Sequence, residues 1–221
     1  MTDAKRQQFE ADCAAIRIVE LEHHPVRGSF DAAHLREINR RIFQDMPDAG
    51  FADVTPGVFR SAVPAGREWM KNRTLFTVEG VFYVAYSRMD ADALALFDTS
   101  LDLAQPAALR ELDAVEFVRS MAALYRSLDY IHPFSDGNSR TLRTFTRQLA
   151  RAAGYELAWE KFGDSPARRD RLYIARDCAV NELATPRIQN EASLRKIIYS
   201  RDRLADNPSL STLLADIVRV R

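Results

Sequence analysis

The sequence predicts a mainly α-helical protein, a bundle around a central helix–loop–helix with one small β-hairpin. Three observations predict it. Within residues 106–130, Val115, Val118, Ala122, Tyr125 and Leu128 recur at the helical period, and Leu112, Met121 and Leu124 thicken the stripe. A helix this apolar is nearly surrounded by neighbours. A second helical pattern, 139–153, follows after a short loop opened by His132-Pro133. One segment alone, 74–85, carries the β-branched and aromatic runs around a glycine-containing pair, Glu79-Gly80, that mark a hairpin.

The elements follow in order. Loosely helical spacing over 10–21 places an N-terminal helix at about 4–22. Asp31 caps the next helix, whose apolar face is Leu35, Ile38, Ile42 and Phe43. Residues 45–66, with three prolines and Gly50, Gly57 and Gly66, read as loop with short extended pieces. After the hairpin, 90–103 is helical with Ala93, Leu94, Leu96 and Phe97 inward. Pro106 opens the long central helix, which runs to about Tyr130. Gly154 ends the helix that follows the loop. Pro166 and Pro186 begin helices reaching Leu183 and Tyr199, and a last helix spans 210–220. The length suits one domain over 1–221.

The chain has 221 residues, 31 lysines plus arginines and 31 aspartates plus glutamates. This balance argues against a nucleic-acid-binding protein. No stretch approaches the roughly 20 apolar residues that cross a membrane, so no membrane partner is expected. The first 22 residues are charged throughout and lack an apolar signal core. The expected location is the cytoplasm, or secretion as an effector without a cleaved signal peptide. Cys13 and Cys178 read as free structural thiols.

The chemistry lies in His132-Pro133-Phe134-Ser135-Asp136-Gly137-Asn138-Ser139-Arg140-Thr141-Leu142-Arg143. Gly137 permits positive φ and Asn138 tolerates it, so successive N–H groups can converge on an anion at a helix N-terminus. Arg140 and Arg143, three residues apart, share a side of the first turn and suit a polyphosphate. Asp136 among cations makes sense if a magnesium ion bridges carboxylate and phosphates. His132, at the mouth of the loop, suits a base for an incoming hydroxyl. Together they point to phosphoryl or nucleotidyl transfer.

These residues resemble the Fic signature HPFx[D/E]GNGRxxR, which the sequence matches at His132, Pro133, Phe134, Asp136, Gly137, Asn138, Arg140 and Arg143. The similarity covers about 30–159, the Fic core, leaving 160–221 as a helical extension. It implies a Fic-type helical bundle whose hairpin serves as a flap, and a protein adenylyltransferase moving AMP from ATP to a target hydroxyl. In that family His132 would be the general base, Asp136 the Mg2+ ligand, and Gly137, Asn138, Ser139, Arg140 and Arg143 the ATP-phosphate site. The implied partners are a protein with an acceptor Ser, Thr or Tyr docking at the 74–85 hairpin, a small antitoxin-like inhibitor, and a second copy in a homodimer.

Ser139 departs from the family's usual glycine. At positive φ it would be strained; at an N-cap it would be favourable. A Doc-like kinase, another nucleotidyl or phosphoryl donor, and a non-catalytic nucleotide-binding regulator stay open on this ground. The family's inhibitory pattern [S/T]xxxE[G/N] does not occur; Thr212 with Asp216 is a degenerate echo.

Overall fold

The computed structural model describes residues 3–221; Met1 and Thr2 of the charged N-terminal stretch lie outside. Helix α1 (Asp3–His23) packs on α2 (Ala32–Phe43), whose N-cap Asp31 accepts a hydrogen bond from the His34 N–H. Strands β1 (Trp69–Thr74) and β2 (Val81–Tyr86) pair antiparallel. Helices α3 (Ala91–Asp102) and α4 (Pro106–Arg110) lead to α5 (Ala114–Ile131), and α6 (Asn138–Ala152) returns beside it. Strand β3 (Tyr155–Leu157) and a short 3₁₀ turn precede α7 (Pro166–Ala184), α8 (Glu191–Leu204), α9 (Leu210–Ile217) and β4 (Val218–Val220).

The centre is α5, as its composition predicts. Phe117, Val118, Met121, Leu124, Tyr125 and Leu128 are buried, and one continuous apolar cluster runs from Ala14 to Val218. Val115, expected in the stripe, is 59% exposed because it lies in the helix's first turn.

Four expectations need correction. The helix expected from Pro106 to Tyr130 is two helices. Asp113 accepts the N–H bonds of Val115 and Glu116, and Glu116 reaches back to the Asp113 N–H. This capping box restarts the chain as α5. The hairpin is 69–86 rather than 74–85. Leu75 and Val78 leave the ladder to pack with Phe82, Ile174 and Leu204, while Thr77 bonds Asp170 through its N–H and hydroxyl. Pro186 sits in a 3₁₀ turn, and the following helix starts at Glu191, capped by Asn190. The C-terminal helix stops at Ile217, and β4 pairs with β3, a second antiparallel pair in which Tyr155 faces Val220.

The two edges of the hairpin differ. The β2 edge is sealed: Asn181 takes the Ala85 N–H and donates to the Tyr83 carbonyl, and the Tyr83 N–H donates to Ser200 Oγ. The outer edge of β1 has no such cover among the described residues. No described helix is long and apolar enough to cross a membrane.

Candidate active site

Helix α5 ends at His132, the C-cap, with φ 50 and ψ 59. A histidine in this left-handed conformation is strained by about 1–2 kcal/mol, and its surroundings hold it there. Its N–H donates to Leu128 O. Arg60 donates from Nε to His132 O at 2.7 Å and from Nη2 to Ile131 O at 3.1 Å and Ser87 O at 2.7 Å. A guanidinium on these carbonyls satisfies the helix end and meets the negative end of its dipole. Burial without a carboxylate partner pulls Arg60 down to about 10.

His132 is 4% exposed, and its imidazole lies against Tyr86, ring centroids 3.7 Å apart. Nε2 is 3.2 Å from Lys71 Nζ, and Nδ1 is 3.9 Å from Asp129 Oδ1. Burial first, then the charges of Lys71, Arg60 and Arg176, hold its pKa well below the ordinary 6.5, against a weaker pull from the Asp129 backbone. The ring is therefore neutral, the form a general base needs.

The loop to α6 is built for close backbone approach. Gly137 has φ 74, and a Cβ there would lie 2.2 Å from the Phe43 ring, so both conformation and space demand glycine. Asn138 turns inward: its Oδ1 accepts the Phe134 N–H and its Nδ2 donates to Phe134 O, stapling the loop. Phe134 is buried against Phe59. Gly137 caps α6 without a side-chain bond. The first-turn N–H groups of Asn138, Ser139 and Arg140 thus point outward with the positive end of the helix.

Ser139 is neither strained nor an N-cap. It lies inside the first turn, and its Oγ accepts from Arg176 Nη1 at 3.0 Å. Arg176 grips Asp129 with two bonds of 2.9 Å, both side chains buried. The serine hydroxyl therefore faces inward, away from the loop's open side.

The two arginines diverge. Arg140 bridges to Glu10 of α1 and lies over the Phe43 ring, 4.7 Å from its centroid. Arg143 donates to Ser139 O at 3.2 Å and has no carboxylate partner among the described residues; burial lowers its pKa. A deeply placed guanidinium without a carboxylate is ready for an anion. Asp136 is exposed, and its Oδ1 accepts the Gly137 N–H at 2.7 Å. It lines a cavity of about 610 Å³ with Phe134, Ser135, Lys71, Asn39, Phe43 and Glu10.

No group of three or more metal-binding side chains exists among the described residues. Asp136, with one oxygen taken by a backbone N–H, suits an ion that draws its remaining ligands from phosphates and water, as magnesium does. The sequence motif places His132, Asp136 and the α6 turn together. It did not give Arg60, Lys71, Glu10, Asp129 or Arg176. Asp129 lies three residues before His132 and was within reach of the helical period. The others come from distant segments that no local spacing connects.

A neutral, buried histidine at one helix end, followed by a glycine turn into the uncapped start of the next helix, is an arrangement suited to holding an anionic group. The family described as Fic/DOC matches residues 29–150, more than half of the chain, and the protein belongs to it. It is 29% identical over 160 residues to the protein adenylyltransferase VbhT of Bartonella schoenbuchensis, covering 72% of this chain and 29% of that protein. A protein adenylyltransferase of Bartonella henselae is 28% identical over 162 residues, covering 72% and 27%. The chain thus spans less than a third of the length of these two curated relatives. The crystal structure of the VirB-translocated effector BepC of Bartonella tribocorum, with bound AMPPNP, aligns over 100% of this chain and 89% of that one. Its TM-score is 0.63 at 18% identity, a likeness of fold.

Proposed function

We propose that this protein is a protein adenylyltransferase, transferring AMP from ATP to the side-chain hydroxyl of a serine, threonine or tyrosine in a target protein. The observation that carries this reading is the neutral, buried His132 at the end of α5, from which a five-residue loop leads through Gly137 into the uncapped start of α6. The relatives named adenylyltransferases and the AMPPNP held by BepC support it.

The backbone N–H groups of Asn138, Ser139 and Arg140 would take phosphate oxygens, with Arg140 and Arg143 adding charge. Arg140 must leave Glu10 to do so. Asp136 would hold a magnesium ion on the triphosphate, and that ion would neutralise charge on the departing pyrophosphate. His132 Nε2 takes the proton of the acceptor hydroxyl as its oxygen attacks the α-phosphorus. Tyr86 stacking and the Arg60 clamp keep the imidazole in place.

Ser139 gives no ground for preferring phosphate transfer, since its hydroxyl bonds Arg176 rather than facing the nest. The target is expected to add along the open β1 edge at 69–74 rather than along β2. Regulation by a separate small inhibitor protein fits the missing inhibitory pattern.

Incubation with a lysate and ATP labelled at the α- or γ-phosphate tests the reaction. Label from the α-position alone, lost in His132→Ala, is expected. Label from the γ-position alone would mean a kinase.

A further inference from the structure

Lys71 has a place in this site that the motif does not provide. It lies in β1 opposite Val84, and its side chain crosses to His132, with Nζ 3.2 Å from Nε2. An ammonium only donates, so Nε2 is the acceptor and the neutral ring carries its proton on Nδ1. Nδ1 is buried toward Asp129. Nε2 is therefore the nitrogen that an acceptor hydroxyl can reach, and Lys71 occupies its lone pair.

Lys71 also stands between two cavities. It lines the 610 Å³ cavity with Asp136, Ser135 and Phe134. It lines as well an open groove of about 480 Å³ along the hairpin, with Met70, Asn72, Tyr83 and Lys196. Burial lowers its pKa, and Asp136 pulls it the other way. One side chain thus touches His132, the cavity beside Asp136 and the groove along the hairpin.

We propose that Lys71 is a catalytic residue that caps His132 in the nucleotide-free protein and moves to the phosphate oxygens when a nucleoside triphosphate binds, uncovering Nε2. The inference rests on the transferase reading above. The Lys71 ammonium meets a neutral acceptor at Nε2 but a full negative charge at a phosphate oxygen, so Coulomb attraction between opposite charges is added to the hydrogen bond. The exchange therefore favours phosphate over imidazole. In the reaction the hydroxyl proton passes to Nε2 and the acceptor oxygen bonds the α-phosphorus. The bond from that phosphorus to the β-phosphate bridging oxygen breaks, and its electron pair leaves with pyrophosphate. Lys71 stays an ammonium throughout and neutralises charge on the reacting phosphoryl group. The base then becomes available only when the donor is in place.

Long-range 1H–15N spectra of the imidazoles test the exchange, with His132 assigned by its loss in His132→Ala. Wild type, Lys71→Met and Lys71→Arg are compared with and without AMPPNP and magnesium. Thermal unfolding and AMPPNP binding establish that each variant is folded. In nucleotide-free wild type, Nε2 is expected at the position of a hydrogen-bonded acceptor, and AMPPNP moves it toward its position in nucleotide-free Lys71→Met. Transfer by Lys71→Met is expected to fall about 100-fold in kcat, with partial rescue in Lys71→Arg. The inference is overturned if Nε2 resonates alike in nucleotide-free wild type and Lys71→Met, if bound AMPPNP leaves it unmoved, or if Lys71→Met transfers at the wild-type rate. If AMPPNP moves Nε2 but wild type modifies no target, the transferase reading and the catalytic role fall together, and nucleotide-driven exchange stands.

Discussion

His132, Gly137 and Ser139 each answer a different physical demand. His132 is neutral because burial and neighbouring cations disfavour its charged form. Its proton affinity is lower folded than unfolded, so protonation opposes folding. Folding stability from this group is complete above 6.5, the unfolded value, and falls as pH drops below it. His34, lowered mainly by burial, adds in the same direction. The unfolding temperature should fall between pH 7 and 5.5, and by less in His132→Ala. The acid limb of kcat/KM, which reports the free enzyme, should lie below 6.5. Gly137→Ala places a methyl in the Phe43 ring at positive φ. It should cost about 1–2 kcal/mol for the conformation and about 1–3 kcal/mol for overpacking, read by denaturant unfolding, with weakened AMPPNP binding. The letters of the motif located both residues. They did not show that Ser139 is a hydrogen-bond partner of the buried Arg176, because Arg176 lies 37 residues away on another helix.

At the scale of elements, α1 and the hairpin close on the motif from two sides. Glu10 on α1 holds Arg140, which the phosphates would need. The pair is partly exposed, so its net worth is about 0.2–1 kcal/mol. Glu10→Ala should tighten AMPPNP binding by about 1.4–5-fold in calorimetry, with no gain expected in Arg140→Ala. Most helices were legible from apolar period and caps, α2 with its Asp31 cap above all. The break before α5 was not read, although Asp113 and Glu116 carry the capping-box spacing. The apolar stripe ran through it and masked the stop. Strand β1, Trp-Met-Lys-Asn-Arg-Thr, has little alternation and gains its form from pairing with β2. Strands β3 and β4, three residues each, are too short for a periodic signal.

Across the molecule, the C-terminal helices reach into the site through one buried ion pair. Arg176 on α7 binds Asp129 on α5 and Ser139 on α6, tying three helices behind the imidazole. Breaking one partner of a buried pair costs about 3–5 kcal/mol because the other charge is left unpaired. Arg176→Met should lose about that much in urea unfolding, and Asp129→Asn with Arg176→Met together should lose less than the sum. The helices beyond the motif, read from sequence as a helical extension, thus supply part of the wall behind the His132 imidazole. Sequence spacing carried the loop chemistry because those residues are consecutive, whereas the wall comes from residues brought together only by folding.

In the proposed reaction His132 acts on the acceptor hydroxyl while α6 and its loop hold the triphosphate. Paired measurement of AMPPNP affinity and α-label transfer in wild type and His132→Ala separates these two roles. In His132→Ala, affinity is expected to stay within about threefold and transfer to fall at least about 100-fold, the scale of a lost general base. Equal transfer by the two proteins would contradict it.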